Sequence, residues 1–157
     1  MINSDKFPEL LYDPLSGKFF SLTLLERGYL DKSTGYYRVC YKGTKYRLHR
    51  LAWFFIYGEF PNKDIDHIDG DKCNNRLDNL REVSKQENKQ NTRKPTLINK
   101  ATNLLGTSEH RLKDSVKYRA QIRVNGKNKH LGLFNTPEEA YAAYLSAKRI
   151  YHKGNTL

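Results

Sequence analysis

The spacing of hydrophobic positions changes several times along this 157-residue chain, and each change predicts a different kind of element. Residues 9–47 form short apolar stretches separated by turn clusters, and the aromatic and β-branched residues at 36–41 and 45–48 are typical of a hairpin. The run at 48–57, which is apolar without a break from Leu51 to Tyr57, predicts a buried helix that ends at Gly58, because glycine readily takes the left-handed conformation of a helix C-terminus. The first part of the chain is therefore predicted to be strand-rich and to contain one core helix.

A spacing of two returns in the second half of the chain. Residues 118–124 alternate between apolar and polar side chains, which predicts a strand with one packed face and one basic, polar face. The polar members of this strand are Arg119, Gln121 and Arg123. Asn125-Gly126 is the preferred dipeptide of a two-residue hairpin turn, so residues 127–134 are predicted to be the return strand.

A helix is predicted to follow this hairpin. Thr136 is its expected N-cap, Pro137 its first residue, and Glu139 completes a capping box with Thr136. Small and aromatic side chains then recur on one face at Ala140, Ala143, Tyr144, Ala147 and Tyr151. Because alanines let a helix approach a sheet closely, this part of the chain is predicted to be a small sheet covered by one helix, with its basic face free.

Charge separates the two halves of the chain further. The whole chain carries a formal charge of +11 and has a pI near 9.6, which indicates a polyanionic partner. Residues 1–80 hold 12 Lys and Arg against 11 Asp and Glu, and residues 81–157 hold 16 against 6, so the excess lies in the second half.

Residues 1–8 lack the basic and apolar regions of a secretory signal, so we expect a soluble, cytoplasmic protein. Cys40 and Cys73 are isolated from each other, so we expect no structural zinc site.

The residues with the clearest chemistry lie between 64 and 91. Asp66 and His67 precede a turn at residues 68–70, and Asn88 follows an S-x-x-E capping box at residues 84–87, which predicts a helix that begins at residue 85. Residues 80–83 are long enough for a return strand, so the local order is strand, loop, strand, short helix. One carboxylate and one carboxamide oxygen suit Mg²⁺, and a neutral imidazole can take a proton from water near neutral pH.

Residues 47–91 resemble the HNH nucleases of the ββα-metal fold, in particular the intron-encoded homing and nicking endonucleases of phages. The resemblance is carried by Leu48-His49-Arg50-Leu51, Asp66-His67-Ile68-Asp69-Gly70, the run from Asn74 to Arg81, and Ser84-x-x-Glu87-Asn88. It implies that His67 is the general base, that Asp66 and Asn88 bind one Mg²⁺ or Mn²⁺ ion, and that Asn79 steadies the loop holding His67. Asn88 stands where other members carry His, a variant that favours magnesium or manganese over zinc.

Residues 104–152 resemble an AP2-type DNA-binding domain. The matching residues are Gly106, Tyr118-Arg119-Ala120-x-Ile122-Arg123, Leu131-Gly132-x-Phe134 and Thr136-x-Glu138-Glu139-Ala140-x-x-Ala143-Tyr144. The resemblance implies a three-stranded sheet that enters the major groove of DNA, where arginines can read guanine edges. His130 stands where a Trp is usual, so no sequence preference carries over.

Several residues keep two interpretations. Asp66 and His67 could be turn residues bonded to the backbone, as Asp69 and Asp71 are expected to be. His49 precedes an apolar helix and is interpreted as a structural residue or a phosphate contact. Arg50, Arg76 and Arg81 could each clamp a phosphate or pair with a neighbouring acid. The polar strand face could bind DNA or be merely solvated.

We expect an α+β protein with an HNH nuclease domain at residues 1–91 (ββα-metal core at about 64–91), a linker at 92–103 and an AP2-like domain at 104–157. The predicted function is metal-dependent cleavage of duplex DNA in a bacterial or phage-infected cell, by a monomer or homodimer that acts without a membrane or small-molecule partner. The residues expected to contact DNA are Arg50, Arg76, Arg81, Arg93, Lys94, Arg111, Arg119, Gln121, Arg123, Lys127, Lys129 and His130. A non-catalytic DNA-binding regulator and an RNA-binding protein are the alternatives. The sequence does not decide between nicking and double-strand cutting.

Overall fold

The computed structural model describes residues 1–92, 102–113, 115–152 and 154–155. It divides into two compact units, Met1–Asn88 and Lys89–Leu157, and the predicted α+β class is confirmed. The strands are β1 Leu10–Asp13, β2 Lys18–Ser21, β3 Glu26–Arg27, β4 Tyr29–Asp31, β5 Tyr36–Tyr41, β6 Thr44–Arg47, β7 Asp64–His67, β8 Leu80–Val83, β9 Thr107–Arg111, β10 Val116–Val124 and β11 Lys127–Phe134. The helices are α1 Leu48–Tyr57, α2 Lys85–Gln90 and α3 Pro137–Tyr151. No helix in the described residues is both long and apolar enough to cross a membrane.

The first unit is built around α1. Strands β1, β2 and β3 form one antiparallel sheet and β4, β5 and β6 form another, and α1 packs on β5 and β6. Aromatic rings from the chain start, the first sheet and α1 fill the core, among them Phe7, Tyr12, Phe19 and Phe55. The predicted end of α1 is confirmed: Gly58 has a φ of 78° and donates its N–H to the carbonyl of Phe54.

Strands β7 and β8 form an antiparallel hairpin that leads directly into α2. Asp66 is paired with Arg81 and His67 with Leu80. Ser84 and Glu87 form the predicted box, in which the Ser84 hydroxyl accepts from the Glu87 N–H and the Glu87 carboxylate accepts from the Ser84 N–H. The predicted order of strand, loop, strand and short helix is therefore confirmed.

The second unit is a three-stranded sheet, in the order β11-β10-β9, on which α3 packs. Asn125 and Gly126 have φ values of 49° and 80°, as the predicted two-residue turn requires. The predicted capping box of α3 is also confirmed, because the Thr136 hydroxyl accepts from the Glu139 N–H at 3.2 Å and the Glu139 carboxylate accepts from the Thr136 N–H.

The buried face of α3 differs in part from the predicted one. Ala140, Tyr144 and Ala147 are buried, but Tyr151 is 37% exposed. Lys148 is only 1% exposed and donates its amine to the carbonyl of Thr92 at 2.7 Å. The burial of Lys148 could not be predicted from residue type, because lysine is seldom fully buried unless its amine finds an acceptor.

Candidate active site

Side chains alternate along β7, so Asp64 and Asp66 point to one face of the hairpin and Ile65 and His67 to the other. Ile65 belongs to the hydrophobic core, and the ring of His67 lies 5.2 Å from the ring of His49 on α1. Strand β7 ends at His67, and a turn begins there, closed by a 2.9 Å bond from the Gly70 N–H to the His67 carbonyl. The imidazole thus lies at the point where the chain leaves the strand, on the face opposite Asp66, and the convergence of the two side chains on one phosphate stays a prediction.

His67 is held by Asn75, a residue for which no role was predicted from the sequence. Its Nε2 lies 3.3 Å from Oδ1 of Asn75, and the Asn75 amine donates to the Cys73 carbonyl at 3.3 Å. Because Oδ1 can only accept, this contact favours the His67 tautomer that carries its proton on Nε2 and its lone pair on Nδ1. His67 is 4% exposed, and this burial lowers its pKa. The Asn75 contact and the nearby Asp69 act in the opposite direction but do not outweigh the burial.

Asn79 holds the loop that follows His67 through hydrogen bonds. Its Oδ1 accepts from the Asp69 N–H at 2.9 Å, and its amine donates to the Asp69 carboxylate and to the Asn74 carbonyl at 3.0 and 2.8 Å. The Asn79 carbonyl also accepts from the Ile68 N–H. The loop is therefore fixed at three points by one buried side chain, and Asp69 has the turn role that was expected of it.

The strand-rich N-terminal segment supports the same loop. The hydroxyl of Tyr12, which is 0% exposed, donates to the Asn75 carbonyl at 2.8 Å, and the Leu77 N–H donates to the Pro14 carbonyl at 3.1 Å. Burial raises the pKa of Tyr12 well above its usual range, so this hydroxyl stays a donor. Sequence spacing could not reveal the bond, because 63 positions separate its two residues.

The three arginines near the hairpin all make internal contacts. Arg81 donates twice to Oδ2 of Asp66, at 3.1 and 2.8 Å, and Asp66 is 7% exposed. Arg76 lies 3.5 Å from the exposed Asp78. Arg50 donates to the backbone carbonyls of Pro61 and Lys63, and its contact with a phosphate stays a prediction.

Asn88 lies on the face of the hairpin that carries Asp66. Its amine donates to Oδ2 of Asp64 at 3.2 Å, and Asp64 is two residues from Asp66 on the same side of β7. An Asp carboxylate and an Asn carbonyl are oxygen ligands of the kind that Mg²⁺ and Mn²⁺ prefer, so the donor set fits such an ion. Within the described ranges no group of three or more His, Cys, Asp or Glu side chains could hold a metal, so the two-residue site would leave several positions to water or phosphate.

The open face of the second sheet is the surface opposite α3. A shallow cavity of about 310 Å³ lies on it, lined by Arg119, Gln121, Asn128, His130 and Leu133. Gln121 and His130 are cross-strand partners, and Arg119 contacts Nδ1 of His110 on β9 at 2.9 Å. This face therefore presents donors from neighbouring strands side by side.

Other cations of the predicted DNA-binding set lie elsewhere. Lys129 is paired with the buried Ile122, so it points to the α3 side, where its amine contacts the hydroxyl of Tyr151 at 2.6 Å. Lys127 is paired with Val124, which packs against the α3 core, and Arg111 pairs with Glu109 on its own strand. Arg93 and Lys94 lie outside the described residues.

Comparisons with known proteins agree with the position of this site. Residues 46–90 match the family model described as HNH endonuclease, and this range covers α1, the β7–β8 hairpin and all of α2. The chain is 31% identical over 126 residues to the "Uncharacterized HNH endonuclease L560" of Acanthamoeba polyphaga mimivirus. That match covers 78% of this chain but 62% of the relative, so the chain spans less than two thirds of the relative's length. No solved structure matches the chain significantly. Over the segment that carries Asp66, His67, Asn79 and Asn88, the chain is thus similar to the HNH endonucleases.

Proposed function

We propose that the chain is a metal-dependent endonuclease of the HNH type that hydrolyses phosphodiester bonds in duplex DNA. The observation that carries this proposal is the β7–β8–α2 unit, which brings Asp66 and Asn88 to one face and holds His67 at the end of β7. The similarity of residues 46–90 to HNH endonucleases supports the same chemistry.

His67 acts as the general base in this proposal. Its lone pair on Nδ1 takes a proton from a water molecule that attacks phosphorus in line, while Asn75 and the loop held by Asn79 keep the ring oriented. Asp66 and Asn88 would hold one Mg²⁺ or Mn²⁺ ion, which when bound would neutralise phosphate charge and stabilise the leaving 3′ oxygen. Each residue thus has a task that its side-chain chemistry allows.

The second unit would hold the DNA in an AP2-like manner. Arg119, Gln121, Arg123 and His130 offer donors on a sheet, an element that fits the major groove. Arg can bind guanine edges and Gln can bind adenine edges. The proposed role is that of a homing endonuclease whose cleavage site lies at a fixed offset from its binding site.

A plasmid assay tests the proposal. Supercoiled plasmid is incubated with the wild-type protein or with His67→Ala, in Mg²⁺, Mn²⁺ or EDTA, and the products are separated by electrophoresis. Loss of the general base is expected to slow cleavage about 10²- to 10⁴-fold while DNA affinity is retained. Open circles would report nicking, and linear DNA would report double-strand cutting by a dimer. Unimpaired cleavage by His67→Ala would contradict the assignment.

The Arg81–Asp66 ion pair favours a second candidate, a DNA-binding regulator that keeps a nuclease-like scaffold. A guanidinium 2.8 Å from a proposed metal ligand opposes a divalent cation at the same carboxylate. This candidate predicts salt-sensitive DNA binding without hydrolysis in any metal. Repeating the plasmid assay on DNA selected by binding separates it from a nuclease with a strict target site.

A further inference from the structure

Asp64 lies beside the proposed metal site, and neither the HNH resemblance nor the chemistry of cleavage assigns it a role. Its carboxylate accepts a 3.2 Å hydrogen bond from the side-chain amine of Asn88. We infer that Asp64 is a positioning residue that fixes the Asn88 carboxamide so that its carbonyl oxygen is offered to the metal. The inference rests on the proposed function, because it concerns one of the two ligands of that site.

The chemistry of the two groups makes this orientation necessary. A carboxylate presents only acceptors, so the end of the carboxamide that faces Asp64 must be the amine. The carbonyl oxygen of Asn88 then points away from Asp64. A divalent cation binds that oxygen and is repelled by an amine, but the two ends of the carboxamide are nearly equal in size. Packing alone therefore does not choose between them, whereas a neighbouring acceptor does.

The fold places the two residues for this purpose. Asp64 is paired with Val83, the last residue of β8, and Ser84 then caps the helix that carries Asn88. The Asn88 N–H donates to the Ser84 carbonyl at 3.0 Å, so the backbone of Asn88 is fixed relative to the hairpin. Asp64 also shares its face of β7 with Asp66. One carboxylate therefore faces the proposed metal, and the other orients the second ligand.

A different role for Asp64 is electrostatic. It lines a cavity of about 390 Å³ together with three cations, Arg50, Lys63 and Lys85. Asp64 would in that case only moderate the positive charge of the cavity, or attract the metal through its own charge. Such a role needs the charge of Asp64 but not the amine of Asn88.

Metal binding by the full-length, DNA-free protein separates these roles. Bound Mn²⁺ is measured by loss of the electron paramagnetic resonance signal of free Mn²⁺. The Asp66→Ala variant lacks a proposed ligand, so the Mn²⁺ that it still binds measures binding elsewhere on the surface. The variants are Asp64→Ala, Asp64→Asn, Asn88→Ala and the double variant Asp64→Ala/Asn88→Ala. Asp5→Ala removes an equal charge from an exposed position and serves as the matched control. Thermal unfolding of each variant checks that the fold is kept.

The inference expects Asp64→Ala to weaken Mn²⁺ binding about tenfold, the scale of residues that orient a metal ligand. Asp64→Asn keeps an acceptor for the Asn88 amine and is expected to weaken binding less. In the Asn88→Ala background, Asp64→Ala should have no further effect, because its target has gone. In the cleavage assay, Asp64→Ala should raise the metal concentration needed for half-maximal rate and recover the wild-type rate at saturation.

Other outcomes overturn the inference. An equal loss with and without Asn88 would show that Asp64 acts on the ion directly, and wild-type affinity in Asp64→Ala would show that it has no role. If the wild-type protein binds no more Mn²⁺ than Asp66→Ala, the proposed metal site itself fails, and the inference fails with it. Failure of the inference alone is recognised by strong wild-type binding that Asp64→Ala leaves unchanged.

Discussion

The polar residues of the nuclease-like hairpin and those of the open sheet face are held in opposite ways. In the first unit Asp66, His67 and Asn79 are at most 7% exposed and each has a buried or partly buried protein partner. In the second unit Gln121, Arg123 and His130 are exposed on the surface of a sheet. Chemistry at one atom needs groups fixed within fractions of an ångström, whereas contact with a polyanion needs charge that DNA can reach. The two sets of residues therefore differ in burial and in protein partners, as the proposed division into a cleavage unit and a DNA-binding unit requires.

The largest expected effect concerns the open face. Replacing both Arg119 and Arg123 by Ala should weaken DNA binding by about 1–3 kcal/mol per arginine if they contact bases. If they contact phosphates, the slope of log affinity against log salt should fall by about 1 to 2. Fluorescence anisotropy with labelled duplex, measured over a series of salt concentrations, distinguishes these cases.

Lys127 and Lys129 provide a matched control for this experiment. Lys127→Ala/Lys129→Ala removes the same charge from the same hairpin, but Lys129 contacts Tyr151 on the α3 side. If DNA binds the open face, the lysine pair should change affinity much less than the arginine pair. Equal losses would mean that charge alone matters and that the face does not.

A substitution at Gly106 tests how closely the backbone of the second unit packs against the core residue Tyr144. A Cβ at Gly106 would lie 1.9 Å from the ring of Tyr144, and its φ is 69°. Gly106→Ala should therefore cost about 2–4 kcal/mol of folding stability, from overpacking and left-handed backbone strain together.

Gly126→Ala separates the two contributions. Gly126 has a φ of 80° in the β10–β11 turn, but nothing lies within 4 Å of a Cβ built there. This variant should show backbone strain alone, of about 1–2 kcal/mol. Amide hydrogen exchange in β10 reports both losses, because this strand lies at the centre of the sheet. Equal losses at the two positions would contradict a close contact between Gly106 and Tyr144.

Local pattern was enough to predict most elements of the fold. The helix at Leu48–Tyr57, the return strand at Leu80–Val83 and the capped helix at Pro137–Tyr151 follow from apolar runs, caps and turn dipeptides near each element. The order of elements around Asp66 and Asn88 was predictable for the same reason. The roles of those residues, and the predicted domain limits at 91 and 104, stay predictions.

Long-range partners were not predictable in this way. Nothing near Tyr12 indicates that its hydroxyl meets the Asn75 carbonyl, and nothing near Lys148 indicates that its amine meets Thr92. Residue type also does not show on which face of a sheet a strand lysine lies, and the register of the strand decides it. The two-residue turn at Asn125-Gly126 places Lys129 opposite Ile122, on the α3 side, and the bulge between Ala120 and Gln121 shifts only the pairs further from the turn.

The last expected effect distinguishes the two units by their response to acid. His49 is 3% exposed, its Nδ1 has no hydrogen-bond partner among the described residues, and burial lowers its pKa from 6.5 to about 3. Below pH 6.5 His49 is protonated in the unfolded chain but stays neutral in the folded chain. Folding stability is therefore lost as the pH falls from 6.5 towards 3. At pH 5 the loss from this residue is about 2 kcal/mol.

His49→Leu should remove that part of the acid sensitivity and leave stability at pH 7 nearly unchanged, because the buried Nδ1 gives no hydrogen bond to lose. Urea unfolding at pH 7 and pH 5, followed by the fluorescence of Trp53 in α1, measures the difference for the first unit. His130→Leu changes the same residue type at an exposed position of the second unit and should leave the Trp53 transition as it is. If His49→Leu loses as much stability between pH 7 and pH 5 as the wild type does, the acid sensitivity of the first unit lies with other groups. His67, whose pKa burial also lowers, would then be the next residue to replace.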